Sequence, residues 1–177
     1  GKSIIGKPTW DLHFANVNVT EGSVEATKVP TISDDTALDF EVALNLPGDF
    51  YEFTINVVNG GSIDAMIESI VKTPELTTEQ AKYIKYEITY ANGESINEKQ
   101  TLKKETTTPI KVRIEYRKDL SASDLPTTTT ELSLGLALIY VQSDGSGVDV
   151  KDNGVEMLPK DYTRLNYIQS TGTQYIN

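Results

Sequence analysis

The sequence has no cysteine, one histidine and no run of about 18 apolar residues. Each absence removes a class of protein. Without cysteine no disulfide staples the fold, so an exported chain of this kind takes its stability from its core alone. One histidine, His13, cannot supply the two or three imidazoles of a zinc hydrolase, and no HExxH helix is present. The lack of a long apolar run leaves no helix able to insert into a membrane, and no secretory leader pattern is readable at Gly1, although an upstream leader already removed is compatible with this. No G-x-S-x-G turn presents a serine, and no glycine-rich phosphate loop precedes a helix. Positive charge is also scarce. With 16 Lys and Arg against 26 Asp and Glu, the net charge is −10, which argues against nucleic acid or an anionic membrane as partner.

What remains is a globular composition, 38% apolar and 24% charged over 177 residues, enough for one well-cored domain and a tail. Period-2 alternation dominates, and it places successive side chains on opposite faces of a strand. Trp10, Leu12 and Phe14 alternate with Asp11 and His13, and Val17 and Val19 follow after a slip of phase that predicts a bulge. A short edge strand is expected over Val24 to Val29, ended by Pro30, with a turn at Ser33-Asp34-Asp35. The cleanest alternation is Leu38, Phe40, Val42, Leu44 and Leu46.

Pro47-Gly48-Asp49 signals a turn. Tyr51, Phe53, Ile55 and Val57 then share one face, Asn59-Gly60-Gly61 marks a corner, and Ile63, Ala65 and Ile67 resume the pattern. Residues 73–82 are the one plausible helix, capped by Thr77 or Thr78. Ile84, Tyr86, Ile88 and Tyr90 lead to an Asn92-Gly93 hairpin turn, and a strand around Ser95–Leu102 is expected to pair back. Ile110, Val112, Ile114 and Tyr116 form another strand. Ser121 to Pro126 reads as a loop with one helical turn.

Glu131–Gln142 carries Leu132, Leu134, Leu136, Leu138 and Tyr140 on one face and is apolar on both faces in its second half. That suits a central strand, or one whose outer face is covered. Seven or eight such strands with almost no helix predict an all-β fold, a two-sheet antiparallel β-sandwich of jelly-roll or immunoglobulin-like order with one short helix. Residues 1–9 form a lead-in and 10–142 the sandwich. Residues 143–177 read as a linker followed by the start of another module, and the pattern breaks off at Tyr175-Ile176-Asn177.

Few residues invite chemistry. His13 beside Asp11 is a lone imidazole at an outward position. Asp34 with Asp35, and Glu115 with Asp119, are carboxylate neighbours of the sort that acid–base work employs, yet 26 acids produce such neighbours by chance. Asp144-Gly145-Ser146-Gly147 and Asp149 to Gly154 suggest calcium, but the spacing is not that of an EF-hand loop, and a linker is the plainer reading. Thr106–Thr108 and Thr127–Thr130 read as polar spacer loops beside Pro109 and Pro126. A glycan-binding module would need exposed aromatic platforms. Tyr51, Tyr86, Tyr90 and Tyr116 fall in core phase, while periodicity leaves Tyr83 and Tyr140 open. No catalytic, cofactor or metal residue is assigned.

Two resemblances follow from these residues. Trp10–Asn16 (WDLHFAN), Gly22-Ser23 and Pro47–Ile67 resemble exported Gram-positive proteins processed by a SipW-type signal peptidase, the group that includes TasA and camelysin. The likeness spans about residues 3–142. It implies a β-sandwich at the cell surface or in a matrix, and for TasA-like members fibre assembly by strand donation. Camelysin relatives are classed as metallopeptidases, a mechanism for which this chain lacks histidines. Asp161–Asn177 (DYTRLNYIQSTGTQYIN) resembles the lead-in of concanavalin-like, laminin-G-like domains and implies a following glycan-binding module.

The expectation is a non-enzymatic, extracellular structural or adhesion module whose partners are itself or other surface proteins. Ser3–Ile5 or Tyr167–Ile176 would be the donor strands. The rivals are a secreted metal-dependent hydrolase and a stalk presenting a C-terminal glycan-binding domain.

Overall fold

A computed structural model describes residues 6–20, 22–126, 129–150 and 156–157. These form strands β1 (Leu12–Val19), β2 (Ala26–Asp34), β3 (Ala37–Leu44), β4 (Phe50–Asn59) and β5 (Ala65–Thr73). Helix α1 (Thr78–Tyr83) follows, then β6 (Ile84–Tyr90), β7 (Thr101–Leu102), β8 (Thr106–Tyr116), a 3-10 turn at Ala122–Asp124, β9 (Thr130–Gln142) and β10 (Glu156–Met157). Every strand pairing is antiparallel. One sheet runs β1-β4-β8, with β6 and β10 sharing the far edge of β8; the other runs β2-β3-β9-β5-β7. The fold is a two-sheet antiparallel β-sandwich with one short helix.

The alternation in the sequence is the alternation of burial. Phe53, Ile55, Val112 and Ile114 on one sheet and Phe40, Leu44 and Leu138 on the other are sealed from solvent. Phe40 bridges the layers: its ring lies 5.2 Å from that of Phe53 and 6.2 Å from those of Tyr51 and Tyr86. Each large apolar side chain so buried stabilises the fold by about 1.5–3 kcal/mol relative to exposure. β9, flanked by β3 and β5, is the central strand its two apolar faces foretold. Its outward residues Ala137, Ile139 and Val141 align with Ala37 of β3 and with Val71, Ser69 and Met66 of β5.

The predicted phase slip in β1 is a bulge between Ala15 and Asn18, with Asn16 at φ 60°. The helix begins where Thr77 caps it. Thr77 Oγ1 accepts from the Gln80 amide, and Gln80 Oε1 accepts from the Thr77 amide, both at 3.0 Å, so two N-terminal donors are met reciprocally.

Several expectations are corrected. Pro30 does not end a strand; β2 runs through it, because an edge strand needs no donor on its outer side. The turn falls accordingly at Asp35-Thr36. Leu46 continues the apolar phase of β3 but lies beyond its end and is 67% exposed, since the Asp49 carboxylate draws the Asn45 and Leu46 amides into the turn. Residues 95–102 do not pair back on β6. After one bridge, Ser95 to Thr89, the chain crosses to the other sheet and β7 joins β5. Thr106–Thr108 are no loop either: they open β8, with Thr106 and Thr108 buried. Pro109 is tolerated there because it falls between the stretches paired by β6 and β10, where its carbonyl accepts from the Ala91 amide. Tyr140 points into the core, and Tyr83 packs against Tyr116 at 5.7 Å.

Residues 143–150 run along the sandwich. The Ser143 amide donates to the Asp64 carbonyl, the Thr101 amide to Val148, and the Val148 amide to Lys99. Residues 1–5, 21, 127–128, 151–155 and 158–177 lie outside the described residues, and with them Ser3–Ile5, Asp152 to Gly154 and the Asp161–Asn177 motif.

Candidate functional site: polar clusters and sheet edges

The one histidine sits where the two sheets meet. β1 carries Asp11, just before its first residue, and His13. Asp11 is only 2% exposed and its carboxylate lies 2.8 Å from His13 Nδ1. Burial of an outward-phase aspartate was not readable from periodicity. It follows from the corner at 60–62, which folds over this segment: the Gly60 amide donates to the Asp11 carbonyl and the Ser62 amide to Thr9. The Asp35 carbonyl of the β2–β3 hairpin accepts from the Phe14 amide at 2.6 Å and brings a second acid close. Burial pushes the Asp35 carboxyl above its ordinary range. Asp34 and Asp11 add to the rise, and His13 opposes it. Among the described residues His13 hydrogen-bonds Asp11 alone, and no group of three or more His, Cys, Asp or Glu could hold a metal ion. The cluster fastens β1 to the opposite sheet.

The other candidates are dispersed. Glu115 is held by Arg113, whose Nη2 lies 2.7 Å from it while Nη1 lies 3.1 Å from Glu52. Arg113 also stacks 4.0 Å from the Phe50 ring centre. Asp119 lies past the end of β8 and lines one open cavity together with Glu115, Lys85, Arg117 and Lys118. Asp144 accepts from the Ser146 hydroxyl and amide; these bonds hold its carboxyl below the ordinary range, and it closes a loop turn. Asp149 is exposed, 3.9 Å from Lys103.

Sequence reasoning read Asn59 only as part of a corner, yet among the described residues it is the most deeply buried polar side chain. Its Nδ2 donates to the carbonyls of Ile63 (2.9 Å) and Leu102 (3.1 Å), and its Oδ1 accepts from the Gly61 amide (3.1 Å). It ties the corner after β4 to β7. The signal available was its place directly before Gly60-Gly61.

The edges differ more than the clusters do. β1 is bulged, and the Asp35 hairpin occupies its Phe14 amide. β2 has three register shifts and carries Pro30, features that blunt an edge against pairing. On the opposite side β7 covers only Ala65 and Met66 of β5, and Gln100 and Lys99 exchange hydrogen bonds with Ile67. Beyond that point, residues 69–73 pair with β9 on one side and with no strand on the other among the described residues. Lys72 reaches across to the Tyr86 carbonyl at 2.9 Å and lies 5.0 Å from its ring.

Fold and edges together define a β-sandwich domain in which, among the described residues, β5 at residues 69–73 and β6, bridged only at Thr89 on its outer side, present regular edges. Compared with family models, with curated proteins and with solved structures, the chain shows no match.

Proposed function

We propose that this chain is a non-enzymatic structural or adhesion module of an extracellular Gram-positive surface or matrix protein, one that associates by strand donation. The observation that carries the reading is the open edge of β5 at residues 69–73, set against the blunted edges of β1 and β2. An open, regular edge presents main-chain donors and acceptors that an extended segment from a neighbour satisfies. The cysteine-free composition suits an exported domain.

The test is sedimentation velocity and electron microscopy over a range of concentrations. It compares the whole chain, chains trimmed of residues 1–5 or 158–177, and Val71→Lys, which puts a charge beside the open edge. Oligomers that disappear on trimming and in Val71→Lys support strand donation. A strict monomer in every case rejects it and favours the stalk reading. A metal retained stoichiometrically through purification would favour the hydrolase.

A further inference from the structure

We infer that the free edge of β5, wherever no donor segment occupies it, takes the same edge of a second copy, the two strands paired antiparallel about Ile70. The inference rests on the reading of β5 as the edge through which copies associate. It names a partner for that edge that needs neither terminus.

Which groups face the edge follows from the neighbouring strand. The Leu138 amide of β9 donates to the Thr36 carbonyl, on the β3 side. Main-chain groups alternate sides along a strand, so those of Gly135, Ala137 and Ile139 face β5, where Thr73, Val71 and Ser69 stand opposite them. The amides and carbonyls of Ile70 and Lys72 are therefore the ones turned outward, with no strand beside them among the described residues. Two such strands related by a two-fold axis at Ile70 set the two Ile70 residues against each other as a hydrogen-bonded pair.

Charge selects this register. The ionisable side chains of β5 are Glu68 and Lys72, placed two residues to either side of Ile70. In the pair, Glu68 of each copy stands opposite Lys72 of the other, so symmetry makes the match twice. Opposite charges facing across two strands stabilise the pairing, and like charges oppose it. Glu68 is exposed, and neither residue forms an ion pair among the described residues. Lys72 Nζ donates to the Tyr86 carbonyl at 2.9 Å, which leaves two of its three donors for a carboxylate. A register centred on Val71 would also match the outward groups. It sets Glu68 opposite Pro74, past the end of β5, and Lys72 opposite Ile70, so neither charge is met. The bonds of Lys99 and Gln100 to Ile67 close the edge on one side and Pro74 lies beyond it on the other. The pairing thus spans residues 68–72, and as an isologous contact it stops at a dimer.

The experiment is sedimentation velocity of the whole chain, of Glu68→Lys, of Lys72→Glu and of the two variants mixed in equal amounts. Circular dichroism first checks that each is folded. The parent should dimerise. Each variant alone sets like charges opposite each other twice and should dimerise about tenfold or more weakly. The mixture should dimerise as the parent does, because one copy then offers two lysines and the other two glutamates. If Lys72→Glu does not fold, the weakened dimer of Glu68→Lys should recover in high salt, which screens the like charges. Variants that associate as the parent does, or a mixture no better than its components, overturn the pairing. Where larger oligomers persist in those variants, strand donation stands without it. A dimer rescued by mixing, with nothing larger at any concentration, upholds the pairing and rejects donation. A parent that stays monomeric overturns both.

Discussion

Replacing Asn59 by alanine tests the corner that joins the sheets. The side chain is fully buried and satisfies three main-chain groups: the carbonyls of Ile63 and Leu102 and the amide of Gly61. Two carbonyls can be met only by its amide nitrogen, so the orientation of the carboxamide follows from chemistry. Truncation strands all three groups, and a buried polar group left unmet costs about 1–3 kcal/mol. The three share one cavity that water can partly re-enter, so the loss should fall short of the sum, at about 3–5 kcal/mol. In a domain of this size that lowers Tm by roughly 6–20 °C. Urea denaturation followed by circular dichroism gives the free energy directly.

Asn59→Asp sharpens the test, because it sets a carboxylate oxygen against two carbonyl oxygens. Such a carboxyl has a folded-state pKa raised above its unfolded value of about 4. The variant should therefore be closest to the parent below pH ~4 and lose stability as the pH rises from there. A loss under about 1 kcal/mol for Asn59→Ala, or no pH dependence for Asn59→Asp, would show that apolar packing and not Asn59 holds the corner.

Other expectations follow from particular positions. Leu44→Ala should cost about 2–5 kcal/mol while Leu46→Ser, two residues on in the same apolar phase, should stay within about 0.5 kcal/mol, measured by the same denaturation. Gly61→Ala places a Cβ where the Thr9 carbonyl and the Asp11 amide already stand, and should cost about 1–3 kcal/mol while changing the fluorescence of Trp10, the single tryptophan. Arg113→Met leaves Glu52 and Glu115 adjacent without their shared cation, and a loss of about 1–2 kcal/mol that shrinks in high salt is expected. Burial pushes the phenols of Tyr86, Tyr90 and Tyr140 far above the ordinary tyrosine range. The unfolded chain releases those protons from pH ~10 and the folded chain does not, so stability should hold below that pH and fall above it. Ultraviolet titration should show these phenols ionising only as the fold is lost.

The candidate clusters were less legible than the strands. His13 and Asp11 stood out as residue types, but burial of Asp11 depends on the corner at 60–62 folding over residues 9–11, a contact across some fifty positions. Asn59 reads in sequence as a turn residue. Its role as the tie between β4, the corner and β7 appears only when Leu102 arrives beside it.

By itself the sequence determined which side chains face inward, because the period of 2 in a strand is a local property of the backbone and the apolar residues mark the buried face. It determined the turns at Pro47-Gly48-Asp49 and Asn92-Gly93, where Gly48 and Gly93 have positive φ, and the start of the helix at Thr77. Tertiary structure alone decided which strands pair. Apart from the β2–β3 hairpin, each strand is followed by one in the opposite sheet. Residues 95–102 therefore leave β6 for β5, though their turn suggests a local hairpin. An inward face is specified residue by residue, whereas a partner strand is selected by the packing of both layers at once, and that selection decided which edges were left open.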